Sequence, residues 1–75
     1  MMSDEKRAFG ERLYQARTKA GLQQGELAQK LDMSVTIVSK WENGWFAPTF
    51  CTLLRLAKTL GVTVGWLAAG EEQNA

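Results

Sequence analysis

Val35, Thr36, Ser39, Lys40 and Asn43 fall on one side of a short segment when it is wound at about 100° per residue. Apart from Lys40, that side is short and uncharged. A solvated helix ordinarily carries long charged side chains on its outer face. Hydroxyls, a carboxamide, a compact methyl-bearing residue and one cation instead suit close approach to base edges in a DNA major groove. The same composition also fits a plain surface helix rich in Ser and Thr, so the face alone leaves both readings open.

The elements that must position this face lie within residues 24–44. Leu27, Ala28 and Leu31 recur with helical period and predict one short helix. Asp32, Met33 and Ser34 carry turn and capping chemistry, and Ser34 can cap a second helix. In that helix Val38 and Trp41 point inward, opposite the polar face, and Gly44 supplies a left-handed stop. A helix, a tight corner and a second helix shift the reading towards DNA.

Other residues frame this unit. Gln24 opens the first of the two helices, where its amide could donate to a phosphate beside the free N–H groups of the first turn. An ordinary polar start residue reads the same way. Phe9, Leu13, Ala16 and Ala20 form one side of an earlier helix, capped by Ser3 or Asp4. Arg17 sits beside that apolar stripe and Glu42 at the edge of another, and burial of an unpaired charge is costly. The two are expected to pair. Gly10 lies off the stripe, at a cost of about 1 kcal/mol against alanine.

Beyond Gly44, Pro48 halts any helix and Thr49 caps the next. Phe50, Leu53, Leu54, Ala57 and Leu60 read as its apolar stripe, with Arg55 and Lys58 on the far side. Thr63 caps a last short helix over 64–69 that ends at Gly70, and 71–75 is expected to fray. Trp45 and Phe46 either fold onto the core or mark a contact surface. Trp66 is either a core plug or part of a dimer contact. The reading is all-α, five helices in one domain spanning 1–75, with an ordered core over about 5–70.

Composition excludes much. With 75 residues the chain makes one small domain, and 45% apolar content is enough for one core. It has one cysteine, Cys51, and no histidine, so it holds neither an internal disulfide nor a Cys/His zinc site, and no cofactor is expected. Cys51 reads as a small helix residue. No base-activated nucleophile, glycine-rich phosphate loop or convergent carboxylate set points to an enzyme. The start lacks a secretory h-region and no apolar run reaches membrane-span length, so a cytoplasmic location is expected. The net charge is only +1, but residues 1–70 carry nine basic and six acidic side chains. That net of +3 is modest, so backbone N–H groups should share in any phosphate binding.

FGERLYQAR, GLQQGELAQKLDMS, the WENG that closes the third helix, Pro48-Thr49 and LLRLAKTLGVTVGWL together resemble the phage-repressor and Cro-like (Xre-type) helix-turn-helix family over about residues 8–69. The resemblance implies a compact five-helix, lambda-repressor-like bundle. Its third helix would lie in the major groove and its second would cross the backbone. It implies phosphate contacts at Gln24 and Asn43, base and backbone contacts at Ser34, Val35, Thr36, Ser39 and Lys40, and a buried Arg17–Glu42 pair. Val35 and Ile37 are apolar where relatives carry polar residues. Trp45 and Phe46 stand where relatives are often basic. The expected function is sequence-specific binding of double-stranded DNA by a small transcriptional regulator, a repressor, as a symmetric homodimer on a palindromic operator. The rival reading keeps the fold as a protein-interaction or antitoxin module that docks through Trp45 and Phe46, with Val35 and Ile37 beside them.

Overall fold

The computed structural model describes residues 3–73. Five helices follow in order: α1 (Asp4–Lys19), α2 (Gln24–Leu31), α3 (Val35–Glu42), α4 (Phe50–Leu60) and α5 (Val64–Ala69). No strand occurs among the described residues. Four of the five helices start where the sequence supplies a hydroxyl cap. The hydroxyls of Ser3, Ser34, Thr49 and Thr63 accept from the backbone N–H three residues on, at 3.2, 3.3, 3.4 and 3.1 Å. The α4 and α5 ends turn through left-handed Gly61 and Gly70, which no side chain penalises. Asp32 does the same job for α2 at φ 56°, a conformation that a β-carbon disfavours.

Phe9, Leu13 and Ala16 of α1 meet Leu27, Ala28 and Leu31 of α2, and Val38 and Trp41 of α3 enter the same core. Leu56, Ala57 and Leu60 of α4 and Leu67 of α5 complete it. The α4 stripe differs from the sequence expectation. Phe50 and Leu54 are exposed, at 67% and 42%, while Leu56 is fully buried. Leu53, Leu56, Ala57 and Leu60 span an arc of about 100° on the helical wheel, and that is the face α4 turns inward. Packing thus turns the inward face away from the expected stripe, bringing Leu56 in and leaving Phe50 and Leu54 out.

Gly10 is buried where α1 crosses the end of α3. A β-carbon there would lie 2.5 Å from the Glu42 carbonyl oxygen and 2.6 Å from that of Trp41. The two backbones touch, and only glycine leaves room for it.

Two arginines bind helix ends. Arg12 donates from Nε to the Leu67 carbonyl (2.9 Å) and from Nη2 to that of Ala68 (3.0 Å). Arg55 is exposed, as expected for the far side of α4, and also donates to the Leu31 carbonyl (2.9 Å). Both satisfy carbonyls that helix termini leave without intrahelical partners. The segment expected to fray is held in part: the Thr63 N–H donates to the Gln73 side chain at 2.9 Å, and the Glu71 N–H to the Gly65 carbonyl at 3.2 Å. Asn74 and Ala75 lie outside the described residues. Among the described residues no helix is long and apolar enough to cross a membrane.

Candidate nucleic-acid interface

Helix α3 is anchored from behind. Val38 is fully buried and Trp41 nearly so, which leaves the opposite side to solvent. Val35, Thr36, Lys40 and Asn43 are exposed on that side, and Ser39 is half-buried between them. Ser34, also exposed, uses an oxygen lone pair as the α3 cap and keeps its hydroxyl proton for an outside acceptor. Val35 is 48% exposed at the first helical position, so its methyl groups project from the tip of α3. Ile37, paired with Val35 in the sequence reading, instead packs against the core. The Asn43 amide folds back on α3 and donates to the Ser39 carbonyl (2.8 Å) and hydroxyl (3.3 Å).

The orientation of α3 is held by a charged cluster at its far end. Arg17 grips both oxygens of Glu42, Nε to Oε2 at 2.6 Å and Nη2 to Oε1 at 3.1 Å. The two side chains are 10% and 6% exposed. Arg17 also donates to the Leu22 carbonyl at 2.8 Å, and its guanidinium lies 5.3 Å from the centre of the Tyr14 ring. The hydrogen bond that Arg17 donates to Glu42 raises the pKa of Arg17 above its ordinary value, against the opposing effect of burial.

Gln24 belongs to the same cluster. Its Nε2 donates to Glu42 Oε1 at 3.0 Å, so one amide hydrogen is committed and the other is left to an outside acceptor. This ties the start of α2 to the end of α3. Sequence reasoning placed Gln24 at a helix start but missed this bond, and also missed Tyr14 and Leu22 as partners of Arg17. Glu26 is a further departure: its carboxylate accepts the Gln23 N–H at 2.8 Å. It therefore already compensates the positive end of α2, where an anion was expected.

Trp45 and Phe46 do not enter the core. They are 63% and 39% exposed, and with Lys40 they line a cavity of about 380 Å³ beside the end of α3. Trp66 is half-buried and packs against the core. Cys51 is exposed on α4. Among the described residues no group of three or more His, Cys, Asp or Glu side chains is placed to hold a metal ion.

Comparison with known proteins places these features in context. The helix-turn-helix family profile matches residues 13–67. The HTH-type transcriptional activator BcrR of Enterococcus faecalis is 42% identical over 64 residues, covering 85% of this chain and 31% of that protein. The chain spans 31% and 51% of the length of the two curated relatives it matches. Among solved structures, the P22 c2 repressor in complex with a synthetic operator superposes with a TM-score of 0.79 at 30% identity, covering 84% of this chain and 96% of that one. Iron(II)-bound HppE with an alternative substrate reaches a TM-score of 0.80 at 30% identity, covering 88% of this chain but 34% of that one. The same helical unit thus also forms one part of a longer protein.

Proposed function

This chain belongs to the helix-turn-helix family, and from that premise we propose that it binds double-stranded DNA in a sequence-specific way as the DNA-reading part of a transcriptional regulator, a repressor. The observation that carries the reading is the outer face of α3: Val35, Thr36 and Lys40 stand exposed on a helix whose other side is sealed into the core.

In this reading α3 enters the major groove. Val35 packs on a thymine methyl, because a valine has no hydrogen bond to offer a base. Thr36, Ser39 and Lys40 contact base edges or the nearest phosphates. Gln24, Ser34 and Asn43 fix the register through their remaining amide and hydroxyl hydrogens. Arg17 and Glu42 touch no DNA; they hold α3 and Gln24 in mutual position. The similarity to a repressor seen on its operator supports this assignment.

The domain works as a symmetric homodimer on a palindromic operator in the cytoplasm, without catalysing a reaction. Its longest extent of 30 Å lets two copies sit side by side on one face of a duplex, with half-sites about 34 Å apart. Selection of bound duplexes from a random pool tests the reading. The expected result is a palindromic consensus with a thymine in each half-site. Backbone amide shifts over Val35–Asn43 should move when that duplex is added. No enriched sequence, or unmoved α3 amides, would overturn it.

A further inference from the structure

We propose that the loop over residues 44–48 and the side chains beside it dock a protein partner, through an acidic segment of that partner that carries one bulky apolar anchor. The proposal stands apart from the DNA-binding reading and needs no nucleic acid.

Three observations carry it. The first is exposed apolar surface on an ordered loop. Trp45 and Phe46 stand exposed. The Gly44 N–H donates to the Trp41 carbonyl at 3.1 Å and the Trp45 N–H to the Lys40 carbonyl at 3.0 Å, so the loop winds back onto α3. A loop already held in place costs less entropy to bind.

The second is a socket at the next two residues of the same loop. Ala47 and Pro48, with Phe9, Leu53 and Ala68, line a hollow of about 160 Å³. A void of about 150 Å³ holds one benzene, so this one has room for a single leucine or phenylalanine side chain. A duplex backbone has no apolar side group of that shape to offer, and a peptide does. Residues 45–48 span at most about 14 Å, so one short segment can reach both the aromatics and the socket.

The third is charge. Lys40 flanks Trp45 and Phe46, and Lys6 borders the socket. Arg7 packs on Gly44, where an added β-carbon would lie 3.0 Å from its Cγ. All three cations are exposed, and Glu5 is the one acid that borders the socket or the aromatic pair. Three cations against one carboxylate complement an acidic partner. Exposed aromatics rimmed by charge, next to a pocket for an anchor residue, are the anatomy of a protein–protein contact.

The test is selection of binders to the whole protein from a random phage-displayed peptide library, followed by titration of the most enriched peptide. The expected consensus sets aspartate or glutamate around one leucine or phenylalanine. Binding should weaken as salt rises. It should move the backbone amides of Lys6, Arg7 and residues 44–47, and it should shield Trp45 from acrylamide. Trp41 is buried and Trp66 half-buried, so the quencher reports mainly on Trp45.

Trp45→Ala, Arg7→Glu and Ala47→Leu, the last of which fills the socket, should each weaken the peptide about tenfold. Lys19→Glu makes the same change in net charge as Arg7→Glu, about 18 Å further along α1, and should stay near wild type. No enriched sequence, a consensus without acids or without an apolar anchor, or equal affinity in Trp45→Ala, Ala47→Leu and wild type overturns the proposal. So does a random-sequence duplex that shields Trp45 where the peptide does not, which would give this surface to DNA. If Arg7→Glu unfolds, the salt dependence and the affinities of Trp45→Ala and Ala47→Leu decide.

Discussion

Glu42 holds two donors at once. Its two oxygens accept from Arg17 twice and from Gln24 once, in a site where 6% of its side chain is exposed. Glu42→Gln would leave the Arg17 guanidinium buried with its charge uncompensated. The domain should lose about 3 kcal/mol, read as a lower urea midpoint at an unchanged slope. The arginine brings no pH dependence near neutrality. Its pKa is raised by Glu42, so the stability it contributes is complete below its ordinary value and disappears only in strong alkali.

Gly10→Ala sets two effects against each other. Alanine is favoured within a helix by about 1 kcal/mol. The added carbon, however, meets two backbone carbonyls at 2.5 and 2.6 Å, and neither can rotate away. The clash wins, and a net destabilisation of about 2 kcal/mol or more is expected in chemical denaturation. From the sequence Gly10 was merely an expensive helix residue. Its reason is a main-chain crossing between residues more than thirty positions apart, and periodicity carries no trace of such a contact. The pairing of Arg17 with Glu42 was legible because each stood at the edge of an apolar stripe. The bond from Gln24 was not, since a polar residue at a helix start gives no sign of which way it turns.

Helix boundaries were the most legible feature of the chain, because Ser, Thr and Gly at the ends act within three or four residues. Faces were less so. In α4 the local pattern admitted Phe50 and Leu54 as inward residues, and only the placement of α4 against α2 and α5 turned Leu56 in instead. The corner between α2 and α3 carries a local cost. Asp32 stands at φ 56°, and its carboxylate lies at the negative end of α2. Asp32→Asn keeps the size, tolerates the left-handed conformation and removes the charge. It should raise stability by about 0.5 kcal/mol, or Tm by about 2–4 °C in a domain of this size. The fold of the corner should be unchanged, so duplex affinity is expected to stay with wild type.

Across the whole molecule, three of the nine basic side chains face the protein itself. Arg12, Arg17 and Arg55 donate to backbone carbonyls, and Arg17 to a carboxylate. Of the six others, Lys40 alone stands on the outer face of α3, so few cations are placed there to displace counterions from DNA. The logarithm of duplex affinity should therefore fall with the logarithm of salt concentration at a slope no steeper than about −3 per protomer. A slope several times steeper in a fluorescence titration would show phosphate contacts that the charge distribution does not provide.

The contact of α1 with α3 at Gly10 has one further consequence. Main chain rests on main chain there, so no rotamer intervenes between the scaffold and the helix assigned to read DNA. Exchanging the outward side chains of α3 should thus rewrite which letters are preferred without re-aiming the rod that carries them. Such a domain behaves like a type holder: the font can be swapped while the press stays aligned.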